Sequence, residues 1–487
     1  MPLPKFENSF ESVSEHFFTR IHPSGAPEPE FIRLNSQLAG NLGIHLDWLG
    51  SPSGLAMLSG NKLPDSAIPI AMVYAGHQFS HWVPQLGDGR AHLIGELISE
   101  AGIRFDIQLK GSGSTPYSRG GDGKAALGPV LREYIVSEWF YAMGIPSTRS
   151  LAAVTTGEQV YREIILPGAI LTRVAQSHIR VGTFQFFASL NDLDSVNLLA
   201  DYLIDRHFPE LRNHDNPYLS LFEAIAFRQA KLIAQWMGVG FIHGVMNTDN
   251  MQLIGETIDF GPCAFMDSFR YDKVFSSIDK LGRYAWNRQP KIACWNLARL
   301  AETLLPLFSP DYKKSFHMAE RVLGDFNNLF DHEYASIFSA KLGIEAGSTI
   351  GGFITKTLDK MEQQKIDFNL FFRRLTQVAG GDDERILVEL FSDYAAGYKW
   401  LSSWQDHWNI VVNKAAALAR MKNANPVYIP RNHRIEQVID AAYQGNFDPF
   451  NELVDLLTYP RSEKVGMEHY ELPPEPHEIV VQTFCGT

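Results

Sequence analysis

The sequence predicts an α+β fold with two lobes, a small β-rich lobe followed by a large α-rich lobe. Three observations lead to this prediction. Glycines separate short apolar or alternating segments between residues 76 and 113. One helical pattern, at 128–143, interrupts this β-rich region, and from 194 onward most of the patterns are helical. This order of elements is the outline of a protein-kinase-like fold.

Four segments follow one another along the chain. Residues 1–70 are predicted to form an N-terminal extension with short helices, and the prolines and the glycine between Pro23 and Pro29 predict a loop within it. A β-rich nucleotide-binding lobe is predicted over 71–190 and an α-rich lobe with the catalytic loop over 191–380. The last segment, 381–487, is predicted to be a helical C-terminal extension with a cysteine-bearing tail.

Local patterns define the β-rich lobe. Two strands are predicted at 91–97 and 103–110, where AHLIGEL and IRFDIQLK flank a glycine that suits a turn. The helix at 128–143 has Pro129 in its first turn and Gly144 directly after its last residue. Proline and glycine are typical of these two helix boundaries.

Length and composition are those of an ordinary globular protein. The 487 residues are 45% hydrophobic and 20% charged, and the net charge is −12, so we expect neither nucleic acid nor an anionic membrane as a partner. Three cysteines, none with zinc spacing, favour a reducing compartment. The first residues have no long apolar segment, and no stretch approaches the roughly 20 apolar residues that cross a bilayer. The predicted location is the cytoplasm.

The sharpest local signal is GFIHGVMNTDNMQLIGETIDFG, residues 240–261, which directly follows a long helical pattern. We predict a hairpin here, with Asn250 at its entry, Gly255 and Glu256 as its turn, and Asp259 at its exit. Such a hairpin would place an amide oxygen beside a carboxylate, and kinases hold metal with this pair. The alternative is that Asp259 only caps a turn.

The usual kinase base is missing from this segment. In kinases an aspartate stands five positions before the metal-binding asparagine, and that position here is Val245, which cannot accept a proton. The carboxylate here is instead Asp249, next to Asn250. The chemistry of this site therefore either differs from ordinary phosphoryl transfer or is absent. Asp249 is a base, a second metal ligand or an exposed acidic residue.

Candidate phosphate contacts lie upstream of that segment. Lys110 ends an alternating strand and Glu133 lies on a half-apolar helix face, so the two are expected to pair as in kinases, or else are unrelated surface charges. Two glycine-rich loops, LGDGR and GSGSTPYSRGGDGKAALG, let backbone N–H groups approach phosphate, or are plain turns. Arg173 and Arg180 suit an unusual phosphate geometry or form surface salt bridges.

Several long segments resemble one known family. They are YAGHQFSHWVPQLGDGRA, DIQLKGSGSTPYSRGGDGKAALGPVLREY, ILTRVAQSHIRVGTFQFF, HGVMNTDNMQLIGETIDFGPCAFMD and, near the end, TFCGT. The chain resembles the selenoprotein O family, densely over residues 71–267 and onward to the tail. The resemblance implies a pseudokinase-like protein adenylyltransferase that binds ATP in a flipped orientation and transfers AMP to Ser, Thr or Tyr hydroxyls of other proteins.

The resemblance also implies a role for each matching residue. Asn250 and Asp259 would hold Mg²⁺ or Mn²⁺, and Asp249 would be the proton acceptor. With ATP flipped, the pyrophosphate would leave among cationic side chains deep in the pocket, and the α-phosphate would lie near Asp249. The implied nucleotide contacts are Gly87, Gly89, Arg90, Lys110, Asp122, Gly123, Arg173, Arg180 and Asp259.

Two cysteines suggest redox chemistry. Cys485 stands where selenium-containing members of the family carry selenocysteine. If the tail reached Cys263, in DFGPC, a disulfide would tether it over the metal site; otherwise Cys263 is a small buried residue.

Two other functions stay open at this point. A protein or small-molecule kinase would release ADP, and a catalytically inactive scaffold would bind ATP without turnover. The sequence names neither the protein substrates nor the oligomeric state.

Overall fold

The computed structural model describes residues 4–345, 347 and 350–484. Within these residues an antiparallel sheet comes first and a helical region follows, which confirms the predicted order of a β-rich and an α-rich lobe. The strands are β1 (Phe18–Arg20), β2 (Phe31–Leu34), β3 (Ile70–Gln78), β4 (His81–Gly87), β5 (Ala91–Ile98), β6 (Arg104–Lys110), β7 (Ala125–Ala126), β8 (Arg149–Tyr161), β9 (Ile165–Ala175), β10 (Phe241–Ile242) and β11 (Ala264–Phe265).

Short helices lie between β2 and β3, one long helix packs on the sheet, and the later helices build the second lobe. None of the helices in the described part of the chain is both long and apolar enough to cross a membrane. The helices are α1 (Ser36–Asn41), α2 (Leu46–Leu49), α3 (Pro52–Leu58), α4 (Leu127–Met143), α5 (Val181–Ser189), α6 (Leu193–His207), α7 (Pro217–Gly238), α8 (Gln289–Phe308), α9 (Tyr312–Leu342), α10 (Ile350–Gln364), α11 (Phe368–Ala379), α12 (Arg385–Val388), α13 (Tyr394–Asn409), α14 (Lys414–Ala424), α15 (Asn432–Tyr443) and α16 (Asp448–Leu457).

The main sheet has the strand order β1-β3-β5-β6-β9-β8-β2, with β4 paired to β3 and β7 paired to β9. Strands β1 and β2, at the two ends of this order, both come from the first 70 residues. The N-terminal segment has the short helices that the sequence predicts, and it also supplies both outer strands. Gly102, at φ 77°, makes the turn between β5 and β6.

Helices cover the two faces of the sheet. On one face Leu38, Trp48 and Leu58 of the N-terminal helices pack in one buried cluster with Ile107 of β6 and Val174 of β9. On the other face α4 packs against β8 and β9 and belongs to the large core that continues into the helical lobe. Burial of apolar side chains on both faces stabilises the lobe that lies over the cleft.

Helix α4 is fixed at its C-terminal end and along its outer side. Gly144, in the left-handed region at φ 73°, donates its N–H to the carbonyls of Phe140 and Tyr141, so the helix ends where the sequence predicts. Trp139 Nε1 donates to the carbonyl of Tyr428 at 2.8 Å, and α15 and α16 pack on the same helix. Helices α15 and α16 thus hold α4, the helix that carries Glu133, against the sheet.

The hairpin predicted within 240–261 is wrong. Gln252 forms an antiparallel bridge with Arg180, and Thr257 forms a parallel bridge with Ser147, so the two segments pair with other parts of the chain and not with each other. Both segments are buried, and buried backbone N–H and C=O groups require partners. The neighbouring segments before α5 and β8 supply those partners, whereas an isolated pair of such short strands is marginal.

Candidate active site

A cleft of about 500 Å³ lies between the sheet, α4 and the loop that follows β10. The structure brings together in it every phosphate, metal and base candidate that the sequence identifies, together with Glu133. They are Gly87, Gly89, Arg90, Lys110, Asp122, Gly123, Glu133, Arg173, Arg180, Asp249, Asn250 and Asp259.

Three cations converge on Asp259 in this cleft. Lys110 Nζ lies 3.2 Å and Arg173 Nη2 lies 2.7 Å from Asp259 Oδ1, and Arg180 Nη1 lies 2.7 Å from Oδ2. Glu133 accepts hydrogen bonds from Lys110 and Arg173, each at 2.6 Å. Asp88 Oδ1 also lies 4.0 Å from Arg180 Nη2, so three positive and three negative side chains form one connected network.

Asp259 is anionic and held in an uncommon backbone conformation. Burial alone would raise its pKa, but Arg173, Arg180 and Lys110 hold the pKa well below its usual range. Its φ is 62°, a region that non-glycine residues seldom adopt and that occurs at functional sites. The charged carboxylate thus lines the cleft, where its three cationic partners hold it.

Asp249 lies almost buried at the bottom of the cleft, with 7% of its surface exposed. Its Oδ2 accepts a hydrogen bond from Gln78 Nε2 at 3.1 Å, and its Oδ1 has no partner among the described residues. Burial raises the pKa of Asp249 to about 6, although the hydrogen bond from Gln78 opposes the shift. A carboxylate with a pKa near the working pH suits a general base.

Val245, at the position of the kinase base, acts through its backbone. Its carbonyl accepts a hydrogen bond from Asn250 Nδ2 at 3.0 Å. Because the amide nitrogen of Asn250 is used in this bond, the amide oxygen is the atom left for a cation.

Asn250 and Asp259 offer oxygen donors to a divalent cation. Among the described residues no group of three or more His, Cys, Asp or Glu side chains could hold a metal ion. A cation at this place would take its remaining ligands from phosphate oxygens and water. That donor set fits Mg²⁺ or Mn²⁺ bound together with a nucleotide.

The first glycine-rich loop does not present the backbone donors that its glycines suggest. The N–H groups of Asp88 and Gly89 donate to the carbonyls of Met72, at 2.9 Å, and Gly87, at 2.7 Å. A Cβ at Gly89 would lie 2.6 Å from the carbonyl oxygen of Tyr117. This glycine therefore allows the two glycine-rich loops to pack closely at the edge of the cleft.

Asp122 lies at the rim of the cleft and is engaged by an arginine. Both of its carboxylate oxygens accept hydrogen bonds from Arg162, each at 3.0 Å, and Oδ1 also accepts from the N–H of Lys124. Gly123 beside it has φ 67°. The acidic residue thus fixes Arg162, which also lines the cleft.

The tip of the β3–β4 hairpin is fixed over the loop that contains Asn247 and Thr248. The N–H of His77 donates to Thr248 Oγ1 at 2.7 Å, and the N–H of Phe79 donates to Asn247 Oδ1 at 3.0 Å. Phe79 and Ser80 both have positive φ, 50° and 71°. A tight turn of two non-glycine residues thus covers the loop that carries Asp249.

Comparison with known proteins identifies the family of this chain. Residues 3–458 match the family model described as protein adenylyltransferase SelO. The chain belongs to the SelO family. It is 53% identical to a protein nucleotidyltransferase YdiU of Rhodopseudomonas palustris strain BisB5, over 99% of both chains. Proteins of the same name from Bradyrhizobium sp. strain BTAi1 and Rhizobium meliloti strain 1021 are 52% and 51% identical, again over 99% of both chains.

Membership in the SelO family makes the chain a nucleotidyltransferase enzyme with a kinase-like fold. Its resemblance to this family, expected from the sequence motifs, is confirmed. Three residues that line the cleft of this SelO protein were not identified from the sequence: Gln78, Asp88 and Arg162. Asp88 stands inside the LGDGR motif and could have been found there. Gln78 stands in the segment YAGHQFSHWVPQLGDGRA and could have been found there too, whereas Arg162 reaches the cleft from the β8–β9 hairpin and lies in none of the motifs.

A methyl group at Gly76 should disable this site. A Cβ there would lie 2.6 Å from Asp249 Oδ1, so either the hairpin or the carboxylate must move. We expect Gly76→Ala to lower the rate of nucleotidyl transfer by about 100-fold, since a displacement of about 1 Å has that effect. Gly40→Ala in α1, where a Cβ meets nothing within 4 Å, is the matched control. Equal rates for the two variants would contradict the importance of the close fit between the hairpin and Asp249.

Of the two cysteines expected to pair, only one lies in the described residues. Cys263 is buried, and burial raises the pKa of its thiol to about 12, so it reacts slowly as a nucleophile. Cys485 lies outside the described residues. The last residues described do approach Cys263, because Thr483 Oγ1 donates to the carbonyl of Pro262 at 2.6 Å.

Proposed function

We propose that this SelO-family enzyme is a metal-dependent protein adenylyltransferase that transfers AMP from ATP to Ser, Thr or Tyr hydroxyls. One observation carries the proposal. The position of the kinase base is Val245, and a buried carboxylate with a pKa near 6, Asp249, stands beside the candidate metal ligand Asn250. The relatives are named protein nucleotidyltransferases and the family model names adenylyl transfer, which supports a protein acceptor and AMP.

The cationic network supports a flipped ATP. Lys110, Arg173 and Arg180 lie together, and two carboxylates fix their orientation. In the proposed pose these cations bind the β- and γ-phosphates and stabilise the negative charge that develops on the leaving pyrophosphate. A bound Mg²⁺ or Mn²⁺ on Asn250 and Asp259 would neutralise charge on the phosphate oxygens.

The proposed reaction is a single displacement at the α-phosphorus. The acceptor hydroxyl oxygen forms a bond to the α-phosphorus as the bond from that atom to the bridging oxygen of the β-phosphate breaks. Asp249 accepts the hydroxyl proton, and pyrophosphate leaves toward Lys110, Arg173 and Arg180. The contact between Gln78 and Asp249 keeps the carboxylate aimed into the cleft.

We also propose that the enzyme acts in the cytoplasm.

The chemical identity of the group that the enzyme attaches to an acceptor protein tests this proposal. Whole-cell protein from which small molecules have been removed would be incubated with the enzyme, ATP and Mg²⁺ or Mn²⁺, and the modified peptides identified by mass spectrometry. We expect AMP on hydroxyl side chains. Phosphate on those side chains would instead establish a kinase, and ATP binding without any adduct would favour an inactive scaffold.

We propose further that Cys263 and Cys485 form a disulfide that regulates access to the cleft. The contact between Thr483 and Pro262 supports it, since each residue is close in sequence to one of the cysteines. Each thiol would lose a proton and the pair would pass two electrons to an added disulfide oxidant. Peptide mapping after oxidation should find Cys263 joined to Cys485, and the oxidised enzyme should transfer AMP more slowly. Recovery of both cysteines as separate thiols would contradict the proposed disulfide.

A further inference from the structure

Aromatic and cationic side chains form one surface beside the catalytic loop. It consists of His77, Trp82, Arg283, Trp295 and Arg299, and we call it the aromatic–arginine surface. The His77 ring lies 4.9 Å from the Trp82 ring and 5.3 Å from the Trp295 ring, measured between centroids. Trp82 is 39% exposed. These residues come from the β3–β4 hairpin, the segment before α8, and α8 itself.

Two arginines lie against one indole in this surface. The guanidinium of Arg283 is 4.8 Å and that of Arg299 is 5.1 Å from the Trp295 ring. Arg299 pairs with Glu302 at 2.6 Å, whereas Arg283 has no salt bridge within the described part of the chain. The nearby carboxylate of Asp279 accepts hydrogen bonds from two backbone N–H groups. Two arginines and two carboxylates thus meet here, and Arg283 is the guanidinium that no side-chain carboxylate of the described residues pairs.

Short contacts connect this surface to the proposed base. The backbone N–H of His77 donates to Thr248, the residue before Asp249, at 2.7 Å. Tyr284, next to Arg283 in sequence, donates its hydroxyl to Asn247 Oδ1 at 2.6 Å. A chain whose hydroxyl enters the cleft toward Asp249 would therefore pass over or beside the two arginines.

We infer that the aromatic–arginine surface binds an acidic segment of the acceptor protein, next to the residue that receives the nucleotide. Guanidinium groups pair with carboxylates in two parallel hydrogen bonds, and the guanidinium of Arg283, which no carboxylate of the described residues pairs, is complementary to such a segment. The exposed face of Trp82 would take an apolar side chain of the same segment. This inference rests on the proposed transfer to proteins and adds the class of acceptor.

A charge-swap experiment tests the inference. Two peptides would carry the same serine, threonine and tyrosine, flanked in one by glutamates and in the other by lysines, and kcat/KM for AMP transfer would be measured for each. We expect the native enzyme to favour the acidic peptide by about tenfold or more. The double variant Arg283→Glu and Arg299→Glu should reverse this preference and should bind ATP as the native enzyme does.

Controls separate a charge effect from damage to the fold. Arg385→Glu makes the same substitution once, at an exposed residue of α12 that pairs with Asp383, and it should leave the preference for the acidic peptide unchanged. A double variant that loses transfer to both peptides, or a native enzyme with no preference, would overturn the inference. Failure of the native enzyme to transfer AMP to any peptide or protein would overturn the proposed function instead.

Discussion

Replacement of Asp249 by asparagine is expected to lower the rate of AMP transfer by about 10²- to 10⁴-fold, the usual contribution of a general base. Asparagine keeps the shape of the side chain but cannot accept the proton of the acceptor hydroxyl. ATP binding should persist, because Lys110, Arg173 and Arg180 are held by Asp259 and Glu133. Single-turnover transfer and equilibrium binding of ATP would separate the two effects.

The stability of this variant provides an internal check. The pKa of Asp249 is about 6 in the folded protein and lower in the unfolded chain. The folded state therefore loses stability as pH rises through this interval, and above about pH 6 a buried charge opposes folding. Asp249→Asn removes that charge and should raise Tm at neutral pH. The control Asp272→Asn changes an exposed carboxylate that pairs with Arg270 and should alter neither activity nor Tm. Full activity of Asp249→Asn would refute the role as base.

The same carboxylate sets the expected pH dependence of the native enzyme. Below about pH 6 Asp249 is protonated and cannot accept a proton. We expect kcat/KM to rise with pH through about 6 and then to level, with about a tenfold change per pH unit on the acidic limb. An acidic limb that is still present in Asp249→Asn would assign this titration to another group.

Replacement of Asp259 by asparagine is expected to lower metal-dependent transfer by about 10²- to 10³-fold. Asparagine is the suitable substitute, since it tolerates the left-handed φ of 62° at this position. The variant loses a charged oxygen ligand for the cation. It also removes the carboxylate shared by Lys110, Arg173 and Arg180, so their positive charge is no longer neutralised at that point.

These two consequences act on ATP binding in opposite directions. With a chelator present, ATP should bind Asp259→Asn more tightly than it binds the native enzyme, because the phosphates meet a more positive cleft. With Mg²⁺ present, this advantage should disappear while transfer stays low. Asp383→Asn, at an exposed carboxylate that pairs with Arg385, should match the native enzyme in both conditions. Undiminished transfer by Asp259→Asn would show that Asp259 does not hold the cation.

Local patterns were sufficient for the elements that form from near neighbours in sequence. The end of α4 at Gly144 and the turn at Gly102 each depend on one glycine with positive φ, and sequence reveals such positions directly. The pairing of Lys110 with Glu133 followed from the cost of burying a carboxylate without a partner. The cleft candidates were found because they stand in long motifs.

Contacts between distant segments could not be predicted in this way. Gln252 pairs with Arg180 because both backbones are buried side by side, whereas the turn-like Gly255 and Glu256 favoured a hairpin that does not form. The contact between Gln78 and Asp249 joins residues 171 positions apart. The two outer strands of the sheet likewise come from a segment in which prolines suggested only loops and short helices.

The origin of the transferred group tests the central claim most directly. The enzyme would be incubated with an acceptor protein, Mg²⁺ or Mn²⁺, and ATP labelled at either the α- or the γ-phosphate, and the label in the protein counted. A flipped ATP with Asp249 as base predicts label in protein from the α-position and none from the γ-position. Label from the γ-position alone would mean that ATP is bound as in a kinase despite Val245, and it would contradict the account.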